Sequence, residues 1–197
     1  MKSKLFALLL ASSSVSFVSA SARDADLGGV WFSQCETGER DPCSGGVSGR
    51  RFSEFQANTH RWGVVGFEGA NCTGQMSGKF FIEREILRIG TGNFPKEIDY
   101  SSATRIRMVP LTSAAEALFR ANLNCGTSDW QVGIERDADS CFDSRLKQMP
   151  IYSIVGIEND RLMNGEFCWS EGCSTDGTTP ARRPTRLDTT DIYQKFP

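Results

Sequence analysis

One histidine, His60, is all that 197 residues provide, and that scarcity removes much of catalytic chemistry at once. Ser-His-Asp or Cys-His machinery would rest on this single residue, which lies at the start of a strand-like segment, so it reads as a hydrogen-bonded structural side chain. A glycine-rich phosphate loop is missing too, and with it the usual backbone cradle for nucleotides. No apolar run approaches the roughly 20 residues of a membrane-spanning helix; the longest, Leu5 to Leu10, breaks at Ser12-Ser13-Ser14. An excess of positive charge is also lacking. With 22 basic against 24 acidic residues and a net charge of −2, neither nucleic acid nor an anionic membrane surface is the expected partner. There is no internal repeat and no low-complexity linker.

Cysteine, by contrast, is plentiful. Lys2 and Lys4, the apolar run and the small residues Val18-Ser19-Ala20 or Ala20-Ser21-Ala22 follow the plan of a cleavable export signal, residues 1–22. Residues 23–197 then form a single domain in a periplasmic or secreted, oxidising compartment. There Cys35, Cys43, Cys72, Cys125, Cys141, Cys168 and Cys173 read as a disulfide framework with one thiol left over. Cys168 and Cys173 would need more histidine to build a tetrahedral zinc site, so a local bridge is preferred, and neither metal nor cofactor is expected.

Between short Gly-rich and polar turns, eight segments have strand length and strand composition: Gly29 to Cys35, Arg51 to Gln56, Arg61 to Glu68, Lys79 to Ile89, Ile98 to Met108, Trp130 to Arg136, Ile151 to Glu158 and Arg161 to Cys168. They predict a mainly β fold, an antiparallel barrel or sandwich. One short helix is expected from Ser113, whose capping box with Glu116 precedes Ala114, Ala115, Ala117, Leu118, Phe119 and Ala121. Asp176 to Pro184 reads as a turn-rich loop and the last residues as a tail or an edge strand. The same-face acids Glu83 and Glu85, or Glu97 and Asp99, are the only opening for an acid-pair hydrolase, and acids on an exposed strand are usually just solvated.

Gly29-Val30-Trp31 opens the first strand as in lipocalin-like barrels, where the indole closes one end under a basic side chain from the last strand; Thr190-Asp191-Ile192-Tyr193, similar to another lipocalin signature, comes too late in the chain to count. Trp31-x-Ser33-x-Cys35-Glu36, Arg51-x-x-Glu54-Phe55, Trp62, Cys72, Leu123-Asn124-Cys125-Gly126, Trp130, Gly133, Arg136-Asp137 and Cys141 together resemble the extracellular domain of the adenomatosis-polyposis-coli-down-regulated family. Asp176-Gly177-Thr178-Thr179-Pro180 and Arg183-Pro184-Thr185 are similar to that family's closing pattern, and the likeness spans residues 29–187.

The resemblance implies a lipocalin-like, disulfide-stapled barrel whose cavity holds an acyl chain or another apolar ligand, or an acylated partner. Candidate lining residues are Trp31, Phe52, Trp62, Val64, Phe80, Ile82, Trp130, Ile134, Tyr152 and Ile154. An eight-stranded interior can equally be filled by its own side chains. Motif order suggests the bridges Cys35–Cys72, Cys125–Cys141 and Cys168–Cys173, with Cys35–Cys43 as the rival short pair. Cys43 is then a free thiol or a dimer bridge. The expected function is non-enzymatic: an exported carrier or sensor of an apolar ligand, or alternatively an inhibitor of a protease or lysozyme acting through rim loops at Gly45 to Gly49 and Asp176 to Arg183.

Overall fold

The computed structural model describes residues 26–38, 44–123, 129–141, 150–168 and 174–196, with the side chain at 103 excepted. In chain order the strands are β1 (Gly29–Ser33), β2 (Glu36–Thr37), β3 (Ser48–Gln56), β4 (Thr59–Phe67), β5 (Met76–Ile89), β6 (Lys96–Pro110), β7 (Arg136–Asp137), β8 (Ile151–Glu158), β9 (Arg161–Gly165) and β10 (Leu187–Lys195). Helix α1 (Ser113–Asn122) lies between β6 and β7. Every pairing is antiparallel. Strands run β3-β4-β5-β6-β8-β9-β10 around a ring that β1 closes by pairing with both β10 and β3. The result is a closed eight-stranded barrel, to which β2 adds on β3 and β7 on β6. Closure removes the open edges that an antiparallel sheet otherwise exposes.

Two expectations change. Trp130 to Arg136 is not a barrel strand: Gly133 turns at φ 76 and only Arg136–Asp137 pairs, with Met108 and Arg107. The eighth strand is β10, the segment read as a tail or an edge strand. The helix is where it was expected, but its cap is Thr112, whose hydroxyl accepts from the Ala115 amide at 3.2 Å. Glu116 is released from capping to pair with Arg120 and to accept from the Val132 amide. Asn159 and Asp160, at φ 50 and 58, make the two-residue β8–β9 turn that the barrel's twist favours.

Register identifies the faces. Trp31, Ser53, Trp62, Ile82 and Ile106 are successive partners across β1, β3, β4, β5 and β6, so they share one face. That face is the interior, because Trp31 belongs to a buried cluster with Phe55, Ile86, Tyr100, Val155, Leu162 and Tyr193, drawn from strands all around the ring. Phe32, Phe52, Gly63, Phe81 and Arg107 form the next row and face outward. A third row, Glu54, Arg61, Glu83 and Arg105, is an outward charge ladder of alternating sign, with contacts of 3.7, 2.7 and 3.8 Å.

Two covers complete the barrel. Helix α1 packs Phe119, with Trp130, onto the inner face of β5 and β6 at Phe80, Ile82, Ile106 and Met108. Gly45, at φ +70, lets the preceding loop approach the helix so closely that a Cβ would lie 2.9 Å from that of Ala115. On the outer wall, the segment before β10 is strapped down by Arg183, which donates to the carbonyls of Ile98 and Ser153 and pairs with Asp99 at 2.6 Å.

Candidate functional site at the barrel mouth

Part of the interior is filled by aromatic packing. Trp31 is 2% exposed, its indole N–H donates to the Leu27 carbonyl at 2.9 Å, and the ammonium of Lys195, its register partner on β10, lies 5.2 Å from the ring centre. Next to it His60 is sandwiched between Phe55 and Tyr100, with ring centres 4.4 and 5.0 Å away, and shares a 2.8 Å hydrogen bond with Ser53 Oγ. Burial, helped by the nearby Arg84 guanidinium, pushes the His60 imidazole down to about 3. Burial likewise raises the Tyr100 phenol above its ordinary range. The only histidine is therefore a neutral packing element, and Ser53 beside it is fully buried.

Elsewhere the interior face turns polar. Trp62 is 39% exposed, and its indole N–H donates to the Tyr193 hydroxyl. Tyr193 in turn donates to Asp191 Oδ2 at 2.9 Å, and Asp191 pairs with Arg51 at 3.0 Å. Arg51 also gripped by Glu36, with Nε and Nη2 at 2.9 and 2.5 Å from one carboxylate oxygen, completes a chain from the core to solvent. Burial lifts the Asp191 carboxyl above the usual carboxylate range despite Tyr193 and Arg51, and its Oδ1 is buried without a hydrogen-bond partner. Desolvation works against the Arg51 charge, but its hydrogen bond to Glu36 and the charge of Asp191 outweigh it and raise Arg51 above its ordinary value.

Beside Arg51 lies a half-open cavity of about 310 Å³, lined by Glu36–Gly38 on one side, Ser44 and Gly46–Gly49 on another, and Arg51 and Val64 at the base. The Cys35–Cys72 disulfide stands at its margin, joining the residue before β2 to a turn whose Cys72 amide donates to Ser48 Oγ at 2.9 Å. Ser48 donates onward to the Gly69 carbonyl at 2.6 Å, which fixes the wall it belongs to.

The ten candidate lining residues do not surround one space. Trp62 and Val64 sit at the mouth, Val64 in the cavity itself. Trp31 is in the same inward row as Trp62 but packed into the buried cluster with Phe55 and Tyr193. Phe80, Ile82 and Trp130 do face inward but are packed under α1, Trp130 5.3 Å from Phe119. Phe52 faces outward beneath Lys79, whose ammonium is 4.3 Å above its ring. Tyr152 and Ile154 also face outward, alternating with Val155 and Ser153, and Tyr152 lies under Arg183. Ile134 is 42% exposed in the turn after Trp130. Two-residue alternation explains these misplacements: apolar composition alone does not say which side of a strand is inside.

Of the cysteines, Cys35 and Cys72 are bonded to each other and not to the rival Cys43. Cys141 and Cys168 are each disulfide-bonded, while Cys43, Cys125 and Cys173 lie outside the described residues. Of the acids named for hydrolysis, Glu83, Glu97 and Asp99 are engaged by arginines, and Glu85 accepts from Asn58 at 3.4 Å. Glu83 meets Arg61 and Arg105, and Asp99 meets Arg88 and Arg183, whose hydrogen bonds overcome burial to hold its carboxyl below the usual range. Of the two loops named for inhibition, Gly45 to Gly49 borders the cavity and Asp176 to Arg183 lies on the barrel wall.

Sequence reasoning missed Glu36, Arg51, Asp191 and Tyr193. In the sequence Arg51 and Glu36 stand only as motif positions, and Asp191 and Tyr193 belong to a segment that comes too late in the chain for the lipocalin signature. The available signal was a charged residue in phase with an inward aromatic on both β3 and β10: Arg51 four positions from Phe55, and Asp191 two from Tyr193. No protein-family profile and no curated protein sequence matches the chain.

Proposed function

We propose that this protein is an exported, non-enzymatic binding protein that takes a small apolar or amphipathic ligand into the mouth of its barrel. The observation that supports the reading best is the pairing of a half-exposed inward indole, Trp62, with an adjoining cavity of about 310 Å³, at the lower end of the size range of small-molecule sites. Among the described residues, two buried clusters take up inward positions elsewhere in the barrel, so the ligand is read at the mouth, between Val64 and the β2 margin and next to Trp62. Reaction chemistry has little to work with there: His60, two residues from Trp62 on β4, is stacked between Phe55 and Tyr100 and bonded to Ser53, and Glu83, Glu97 and Asp99 are paired with arginines. The export signal and the disulfides fit a protein built for an oxidising compartment.

Delipidated, refolded protein titrated with a hydrophobic dye and with decanol should show saturable, stoichiometric uptake. Trp62→Ala should weaken it by about tenfold, the effect of removing one well-placed aromatic contact. Absence of saturable uptake of either probe would rule the reading out.

A further inference from the structure

Among the described residues, the charges around the cavity do not balance. Glu36 and Arg51 both line it, and Arg51 already answers two carboxylates, those of Glu36 and Asp191. Asp188 stands nearby on the same strand as Asp191, held below the usual carboxylate range by Thr190's hydrogen bond and, more weakly, by Arg51. A guanidinium shared in this way has little left to offer an anionic ligand, whereas the acceptors around it exceed the donors. Glu36 is the accessible one, its side chain 59% exposed on the two-residue strand β2, and Asp191 Oδ1 is the buried oxygen behind Arg51 that nothing bonds. Trp62, two residues from the lining residue Val64 on the same inward face of β4, is 39% exposed. Carboxylate plus indole is the chemistry that recognises ammonium groups.

We propose that the cavity beside Arg51 is a subsite for the cationic head of an amphipathic ligand, a primary ammonium accepted by Glu36, with the apolar body lying along Val64 and Trp62. The negative balance of the Arg51–Asp191–Glu36 chain selects against carboxylate heads, so an alkylamine is preferred to a fatty acid of the same length. This rests on the barrel-mouth reading and adds the sign of the ligand's charge to it.

The test is a direct competition of head groups on one tail. Decylamine, decanoate and decanol are titrated into delipidated full-length mature protein at neutral pH and low ionic strength, with affinity read by calorimetry. Decylammonium should bind about tenfold more tightly than decanoate, with decanol between them, a preference that added salt diminishes. Glu36→Gln should erase or invert the amine-to-acid ratio, since it removes the acceptor and frees part of Arg51. Glu158→Gln, which deletes the same charge at the β8–β9 turn, should leave the ratio as it was. If decanoate binds as tightly as decylammonium or more so, the cationic subsite is wrong while the barrel-mouth reading survives. If the ratio persists in Glu36→Gln, or falls equally in Glu158→Gln, the preference does not come from this cavity and the assignment is overturned. If none of the three binds, the barrel-mouth reading fails and this inference fails with it.

Discussion

His60 shows how one side chain can carry a pH dependence without any part in chemistry. Its imidazole ordinarily takes up a proton near 6.5, but in the barrel it does so only at about 3. The unfolded chain therefore binds a proton that the folded one refuses throughout that interval. Stability contributed by the neutral, stacked ring is complete above 6.5 and is lost as the pH falls toward 3, by up to ~1.4 kcal/mol per pH unit. Denaturant titrations at several pH values should show His60→Leu flattening the acid limb relative to the parent. An imidazole NMR titration with a midpoint near 6.5 would contradict the burial argument. Trp31 makes the complementary case of a residue whose worth is volume. Trp31→Ala would leave a large void under Lys195 and should cost about 3–5 kcal/mol, measured as a fall in thermal midpoint, whereas Lys195→Ala should cost less than about 1 kcal/mol.

Among the elements, the strap before β10 depends on a single arginine. Arg183 is 10% exposed, and its guanidinium serves two backbone carbonyls and Asp99 at once. Arg183→Ala should cost about 2–4 kcal/mol, somewhat under the usual cost of breaking a buried pair, because Arg88 still holds Asp99. The freed strap should then be cut by trypsin at Arg182 or Arg186 well before the barrel unfolds; cleavage at the parental rate would show that the strap is held by something else. Element type was legible wherever one period dominated: the alternating segments that became β3 to β6, β8 and β9, and the Ala-rich run that became α1. Element role was not. Leu187–Lys195 carries six polar or charged residues in nine, LDTTDIYQK, and reads as an edge because only Leu187, Ile192 and Tyr193 supply apolar surface; ring closure, a property of partners distant in sequence, makes it a barrel stave. Trp130 to Arg136 has the opposite history, since its aromatic and β-branched residues suit a strand while Gly133 and the demands of packing Trp130 under α1 make it a turn. At the candidate site the same limit applies: Trp62 and Val64 could be named from composition, but Arg51 and Asp191 meet only because β3 and β10 both flank β1.

For the molecule as a whole, the Cys35–Cys72 bridge spans a sequence separation of 37 and constrains the unfolded chain by roughly 4 kcal/mol on the loop-entropy account. Replacing both cysteines by serine should lower unfolding free energy by about that much in denaturant titrations. Because the bridge borders the cavity, it should also weaken decanol binding, while a change in neither quantity would mean that β2 is anchored without it. The ring itself has a consequence for how the chain comes into being. The last strand made is the one that completes the circle, since Lys195 must find Trp31 and Tyr193 must find Ser33. Until β10 emerges, β1 and β9 each present an unpaired edge, and the longest-range contacts, which close slowest, are still unmade. A barrel closed by its first and last strands therefore keeps two open edges until nearly its whole length is available to pair.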